Sequence, residues 1–150
     1  MTTAEPVIRP LSLKDAGDRP WLDRAEALHR AFRPALPADY AGHLTTMAEE
    51  GAEMAVLTVG DAVRAIAVYR SHHTTFGRRF YIDDLVTNEA RRGRGHGRAL
   101  LAWCEAQARE QGCDWFDLES GTQRTRAHRF YFREGMHVFA FGFRKALTGG

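Results

Sequence analysis

Cysteine is nearly absent: Cys104 and Cys113 are the only two in 150 residues. Two thiols cannot build the disulfide framework of a small secreted domain, nor supply a four-ligand zinc site unaided. Long apolar runs are missing too. Nowhere do about 18 consecutive apolar residues occur, so no segment reads as a membrane-spanning helix. The first ten residues mix Glu5, Pro6 and Arg9 with few apolar side chains, which is not the hydrophobic region of a signal peptide. A reduced, cytoplasmic protein is therefore expected. Charge of one sign is lacking as well: 21 Lys and Arg against 19 Asp and Glu leave +2 with the histidines neutral. That balance excludes disorder driven by net charge, and it does not by itself indicate a nucleic-acid partner. Internal repeats and low-complexity tracts are absent.

What is present suffices for one core. With 44% hydrophobic and 11% aromatic residues, residues 1–150 are expected to form a single domain. Residues 7–9 read as a short strand before Pro10. Trp21, Ala25, Leu28, Ala31 and Phe32 recur at helical spacing until Pro34. Residues 40–50 read as a second helix ended by Gly51. Two β-rich runs, 54–59 and 63–70, flank Gly60-Asp61, a hairpin signal, and residues 80–86 follow as a third strand of the meander. After Gly97, the stripe Leu100, Leu101, Cys104 and Ala108 predicts a helix that Gly112 terminates. Residues 115–119 read as a strand, 125–133 as a short helix ended by Gly135, and 138–143 as a final strand. Antiparallel strands followed by strand, helix, strand predict an α/β (α+β) fold: a mixed, mostly antiparallel sheet of about six to seven strands flanked by about four helices. Phe139, Phe141 and Phe143 could close that sheet within one chain or add to a partner's edge, so a homodimer is one outcome.

The sharpest local feature is Arg91-Arg-Gly-Arg-Gly-His-Gly-Arg98, set between a strand and an amphipathic helix. Gly93, Gly95 and Gly97 leave main-chain amides uncovered. The helix behind them adds the positive end of its dipole, and Arg92, Arg94 and Arg98 add charge. A dense anion such as a pyrophosphate is the natural occupant. The turn lacks the Lys-Ser/Thr ending of a P-loop and the glycine spacing of a dinucleotide fingerprint. An Arg/Gly-rich surface loop touching RNA is the plainer alternative.

Arg92-x-x-Gly95-x-Gly97, preceded by Ile82-Asp-Asp-Leu-x-Thr87, resembles the acetyl-CoA-binding motif of the GCN5-related N-acetyltransferases. Ala127-His-Arg-Phe-Tyr-Phe-Arg-Glu-Gly-Met136 resembles that family's helix with a Phe-Tyr pair before a glycine. The pattern departs from the family at Thr87, usually apolar and β-branched, at Glu89, often proline, and at Arg124, commonly Asn. The resemblance implies the family fold and acetyl-CoA as co-substrate, with no metal required. Leu85, Val86, Thr87, Arg92, Gly93, Arg94, Gly95, His96, Gly97 and Arg98 would hold that co-substrate. It implies direct attack of an amine on the thioester, with a backbone N–H near residues 85–87 on the acetyl oxygen. Tyr131 matches the family's general acid; read without the motif, it is a core aromatic between Phe130 and Phe132. Asp84 matches the position of a base-like carboxylate, with Asp83 as the fallback. Successive strand residues face opposite sides, so only one of the two is expected to face the acceptor. Both could equally be structural or merely attract a cation.

His72, His73, His96 and His128 read as solvated loop histidines rather than metal ligands, because no further ligand is spaced to complete a site. Cys104 falls on the apolar stripe, and Cys113 lacks a base partner. Residues 120–147 look closer to aminoalkylphosphonate N-acetyltransferases, with Ser120, Arg124, Arg133-Glu-Gly135 and the ending Phe141-x-Phe-x-Lys-Ala-Leu147. Arg124 and Arg129 could then pair with a phosphonate, brace the fold or meet the 3′-phosphate of CoA. The resemblance implies an N-acetyltransferase for a small primary amine, with no membrane and no nucleic-acid partner. A protein or peptide N-acetyltransferase, with Trp21 and Tyr40 lining its groove, and a non-catalytic acyl-CoA- or RNA-binding module are the alternatives.

Overall fold

The computed structural model describes residues 4–88 and 93–149. Packing divides the chain into two units, Met1–Leu118 and Glu119–Gly150.

The first unit contains β1 (Pro6–Leu11), α1 (Arg19–Phe32), α2 (Tyr40–Glu49), β2 (Glu53–Val59), β3 (Ala62–Thr74), β4 (Gly77–Thr87), α3 (His96–Glu110) and β5 (Trp115–Leu118). The strands lie in the order β1-β2-β3-β4-β5. The first four are antiparallel neighbours, and β5 returns through α3 to run parallel to β4. Proline in the first turn favours the start of α1. The Asp39 carboxylate accepts the Gly42 N–H at 3.0 Å and caps α2.

One sheet face is covered by α1 and α2: Leu22, Ala25, Tyr40 and Leu44 pack with Met54, Val56, Ile66, Val68 and Val86. On the other face α3 buries Leu100, Leu101, Cys104 and Ala108. There the Phe80 ring stacks on Tyr69, 4.8 Å between centroids, and lies 5.7 Å from Phe116. Phe80 is fully buried, so Phe80→Ala is expected to cost about 3–5 kcal/mol of stability, measured by guanidinium unfolding.

Two strands are longer than the side-chain pattern predicts. β3 runs beyond Arg70 and β4 begins before Phe80, with His72 opposite Arg79 and His73 opposite Arg78. Ladder hydrogen bonds are made by the main chain, so exposed cationic side chains do not end them. His72 and His73 are therefore solvated as expected, but on a strand rather than in a loop. The ladder also carries an irregularity: Val68 pairs with Asp84 and Tyr69 with Ile82, leaving Asp83 as a surplus residue in β4. This is a β-bulge.

In the second unit α4 (Thr125–Arg133) takes the expected span. Ala127, His128, Phe130 and Tyr131 are half-buried along it, and His128 Nε2 donates to the Gly121 carbonyl at 2.8 Å. The strand expected at 138–143 does not form: among the described residues, those after Gly135 carry neither helix nor strand. The described sheet therefore has five strands, not six to seven. A period-two pattern makes a strand only when an edge accepts its main chain. No helix among the described residues is long and apolar enough to cross a membrane.

Candidate functional site

β4 and the start of α3 meet at a fork in the sheet. The ladder to β5 stops at Ile82 opposite Leu118, whereas β4 continues beside β3 as far as Thr87. The bulge at Asp83 falls at the next residue, and bulges increase local twist. The Asn88 N–H donates to the Arg64 carbonyl at 3.0 Å. Amides alternate between the two edges of a strand. Val86 N–H accordingly faces β3, while those of Leu85 and Thr87 face the edge that β5 has left.

The glycine turn follows. Gly93 and Gly95 have φ of 86° and 76°, a conformation that strains any side chain. Nothing lies within 4 Å of a Cβ built on either, so the backbone conformation, not crowding, requires glycine at both. Gly95 is the N-cap of α3 and makes no side-chain capping bond. A helix N-terminus presented this way favours anions, and Arg94 and Arg98 stand exposed beside it. Arg92, expected to contribute, lies outside the described residues. Gly97 has a different reason: a Cβ there would sit 2.9 Å from Thr87 Cγ2. Gly97→Ala should destabilise by about 1–3 kcal/mol through overpacking. Thr87→Ser, which removes that methyl, should restore most of the loss in a double-mutant cycle read by chemical denaturation.

The bulge overturns the expectation that Asp83 and Asp84 face opposite sides. Asp84 Oδ2 meets His29 Nε2 of α1 at 2.8 Å, and its Oδ1 accepts from Arg33 Nε and Nη2 at 3.0 and 2.7 Å. Asp83 accepts from Arg70 Nε at 3.0 Å, and Arg70 also reaches the Glu50 carbonyl at the end of α2, at 3.5 Å. Both carboxylates thus lie on the face covered by α1 and α2. Behind Asp84 the chain of polar groups continues, with His29 Nδ1 lying 2.8 Å from the Tyr40 hydroxyl. His29 and Tyr40 are only 2% and 3% exposed.

These surroundings drive the two carboxyls apart. Burial works to raise Asp84, but the hydrogen bonds from His29 and Arg33 prevail and hold it below the usual carboxylate range. Burial raises Asp83, with Arg70 opposing. Burial, with Glu26 and Asp84 adding to it, also lifts the Tyr40 hydroxyl well above the ordinary tyrosine value. Asp84 therefore stands ionised, accepting from Nε2–H, while His29 Nδ1 faces a protonated phenol.

His29, rather than His72, His73, His96 or His128, is the histidine that lies against the carboxylates. The available signal is spacing: Leu22, Ala25 and His29, three and four apart, are the buried residues of α1. Tyr40, expected to line an acceptor groove, is instead part of the core. Trp21 lies beneath the guanidinium groups of Arg9 and Arg24, at 4.7 and 4.6 Å. Two clefts, one including Arg9 and Trp21 and the other Lys14 and Thr45, involve none of the glycine turn.

In the second unit Tyr131 sits on α4 with its ring 5.4 Å from Phe130. Burial raises its phenol, with Arg124 opposing, so it is protonated at neutral pH. Arg124 occupies the N-cap of α4, and both it and Arg129 are exposed. Cys104 is packing: burial pushes its thiol up to about 12. Cys113 Sγ lies 3.9 Å from Ser71 Oγ.

The Acetyltransferase (GNAT) family matches residues 15–136. Aminoalkylphosphonate N-acetyltransferase of Salmonella typhimurium is 44% identical over 66 residues, covering 44% of this chain and 43% of that protein. The uncharacterized N-acetyltransferase YhdJ of Bacillus subtilis is 33% identical over 94 residues, 62% of each. The matched segments thus span less than two thirds of either relative. The crystal structure of an aminoglycoside acetyltransferase from an uncultured soil metagenomic sample, in complex with sisomicin, superposes with a TM-score of 0.80. It covers 95% of this chain and 97% of that one at 14% identity, a likeness of fold.

Proposed function

Since the chain belongs to the acetyltransferase (GNAT) family, we propose that residues 1–150 act as one acetyl-CoA-dependent N-acetyltransferase domain whose acceptor is a small primary amine. The observation that carries this reading is the fork between β4 and β5, opening directly onto the bare glycine turn at the head of α3. When bound, acetyl-CoA supplies an acyl group already activated as a thioester. The amides of Gly93 to Arg98 and the side chains of Arg94 and Arg98 would hold its diphosphate. The outward amides of Leu85 and Thr87 would polarise the acetyl oxygen.

The remaining tasks fall to side chains. Asp84, ionised and braced by His29 and Arg33, anchors the cationic amine. Asp83, whose burial raises its carboxyl, is the better placed of the two to accept the proton, directly or through water. Tyr131, kept protonated, gives a proton to the departing thiolate. Likeness to the aminoalkylphosphonate enzyme supports an acceptor bearing a phosphonate, which Arg124 and Arg129 would grip with paired hydrogen bonds.

Calorimetry with CoA and acetyl-CoA, followed by a thiol-release screen over aminoalkylphosphonates, polyamines, aminoglycosides and peptides, tests the proposal. Binding with turnover of a small amine, aminoalkylphosphonates foremost, is expected. Absence of heat at millimolar CoA overturns the cofactor assignment. A response to peptides alone overturns the acceptor class. Salt-sensitive RNA retention in place of turnover favours the binding module instead.

A further inference from the structure

Within the first unit, the buried Tyr40 hydroxyl has one hydrogen-bond partner among the described residues, His29 Nδ1 at 2.8 Å. The two rings meet edge to face, 5.5 Å between centroids. The other ring nitrogen, Nε2, is spent on Asp84 Oδ2, also at 2.8 Å. A neutral imidazole satisfies all three groups: Nε2–H donates to the carboxylate while Nδ1 accepts from the phenol. A charged imidazole does not. Its Nδ1–H would have to donate to the phenol oxygen, and the hydroxyl proton would then have no acceptor in a site this buried.

The charges nearby balance without His29. On α1, Glu26 pairs with Arg30 at 2.7 Å; on β4, Asp84 pairs with Arg33 at 2.7 Å and Asp83 with Arg70 of β3 at 3.0 Å. Glu26, Arg30 and Asp84 act on Tyr40, and His72 acts on Asp83 from the exposed part of β3. Each carboxylate thus has its arginine, so a proton on His29 would be a surplus charge in a buried place. Arg33 puts both of its bonds on Asp84 Oδ1 and leaves Oδ2 to His29. Beside a neutral ring, Oδ2 keeps its attraction for a cation. Beside a charged ring, the cluster carries one net positive charge and repels it.

We propose that Tyr40 is a positioning residue for the acceptor: its hydroxyl, donating to Nδ1, keeps His29 neutral, so that Asp84 Oδ2 meets the ammonium of the amine with no competing cation behind it. This role rests on the acetyl-transfer reading, in which Asp84 anchors that amine. Tyr40 itself touches neither substrate nor cofactor and acts through His29.

Nitrogen-15 NMR of the histidine rings, with His29 assigned by its loss in His29→Gln, tests the first step without any turnover. In wild type at neutral pH, His29 should carry one proton, on Nε2. In Tyr40→Phe, which keeps the ring contact and removes the donor, the second proton should arrive at a higher pH than in wild type. Acceptor kinetics test the second step. As pH falls through that midpoint, the KM of Tyr40→Phe for 2-aminoethylphosphonate should rise about tenfold relative to wild type, the order expected of one added unit charge in a partly buried site. The ratio to wild type cancels the titration of the phosphonate itself, and the Kd for CoA should not change. Tyr40→Phe combined with His29→Gln, whose amide donates to Asp84 but takes up no proton, should show no such rise, which separates His29 from His72. A doubly protonated His29 in wild type at neutral pH, or a midpoint unmoved in Tyr40→Phe, would overturn the part given to Tyr40. A midpoint that moves while KM stays flat would overturn its bearing on the acceptor. Because the spectra need no amine, they decide the state of His29 even if acetyl transfer itself is not found.

Discussion

Phenylalanine in place of Tyr131 is expected to lower the rate of acetyl transfer by about 10² to 10⁴ while leaving the Kd for CoA nearly unchanged. The phenol is the one group lost. Burial raises it above the ordinary tyrosine value against the pull of Arg124, so at neutral pH the hydroxyl keeps its proton, as the proposed donor to a departing thiolate must. The ring, and its contact with Phe130, survive the substitution. A change confined to kcat therefore separates proton delivery from packing. Thiol-release kinetics beside calorimetry make the distinction, and unchanged turnover would remove Tyr131 from the reaction.

His29→Leu should have the largest effect of any single replacement near the carboxylates. Leucine fills most of the volume but leaves the Tyr40 hydroxyl without its partner, and it strips Asp84 of one of its two. Two buried polar groups left short of hydrogen bonds predict a loss of about 3 kcal/mol, visible as a lower urea midpoint. The acid side of the stability profile supplies a second readout. Asp84 titrates below its unfolded value, so its contribution is present above that value and fades as pH falls through the folded one. Without the His29 hydrogen bond the depression shrinks, and the variant should lose less stability than wild type over the same acid interval. Two-dimensional NMR titration of the Asp84 carboxyl would show its midpoint moving upward. A midpoint that stays put would mean that Arg33 alone sets it.

The parts of the fold visible in the sequence are those whose cause is local. The α3 stripe from Leu100 to Ala108 repeats at the helical period, and Gly95 and Gly112, both at positive φ, mark where that helix starts and stops. The glycine turn was legible for the same reason, because its glycines answer to backbone conformation and to one close neighbour, Thr87. What escaped depends on partners distant in sequence. Asp83 is surplus only with respect to Val68 and Tyr69 across the ladder, so strand alternation misplaced its side chain. His29 looks like a polar interruption of an apolar helix until Tyr40 and Asp84, 11 and 55 residues away, are set against it. Residues 138–143 carry the period of a strand, yet among the described residues no strand forms there.

Deleting Asp83 offers a way to see what that one additional residue contributes. Ile82 and Asp84 already point to opposite faces, as consecutive residues of a plain strand would, so a shortened β4 could keep both hydrophobic surfaces intact while losing its twist. The main-chain amides of Leu85 and Thr87 would then lose the local distortion that precedes them in β4. A chain so altered should keep its core and, if the proposed acyl site is right, lose acetyl transfer, which thiol-release kinetics would show.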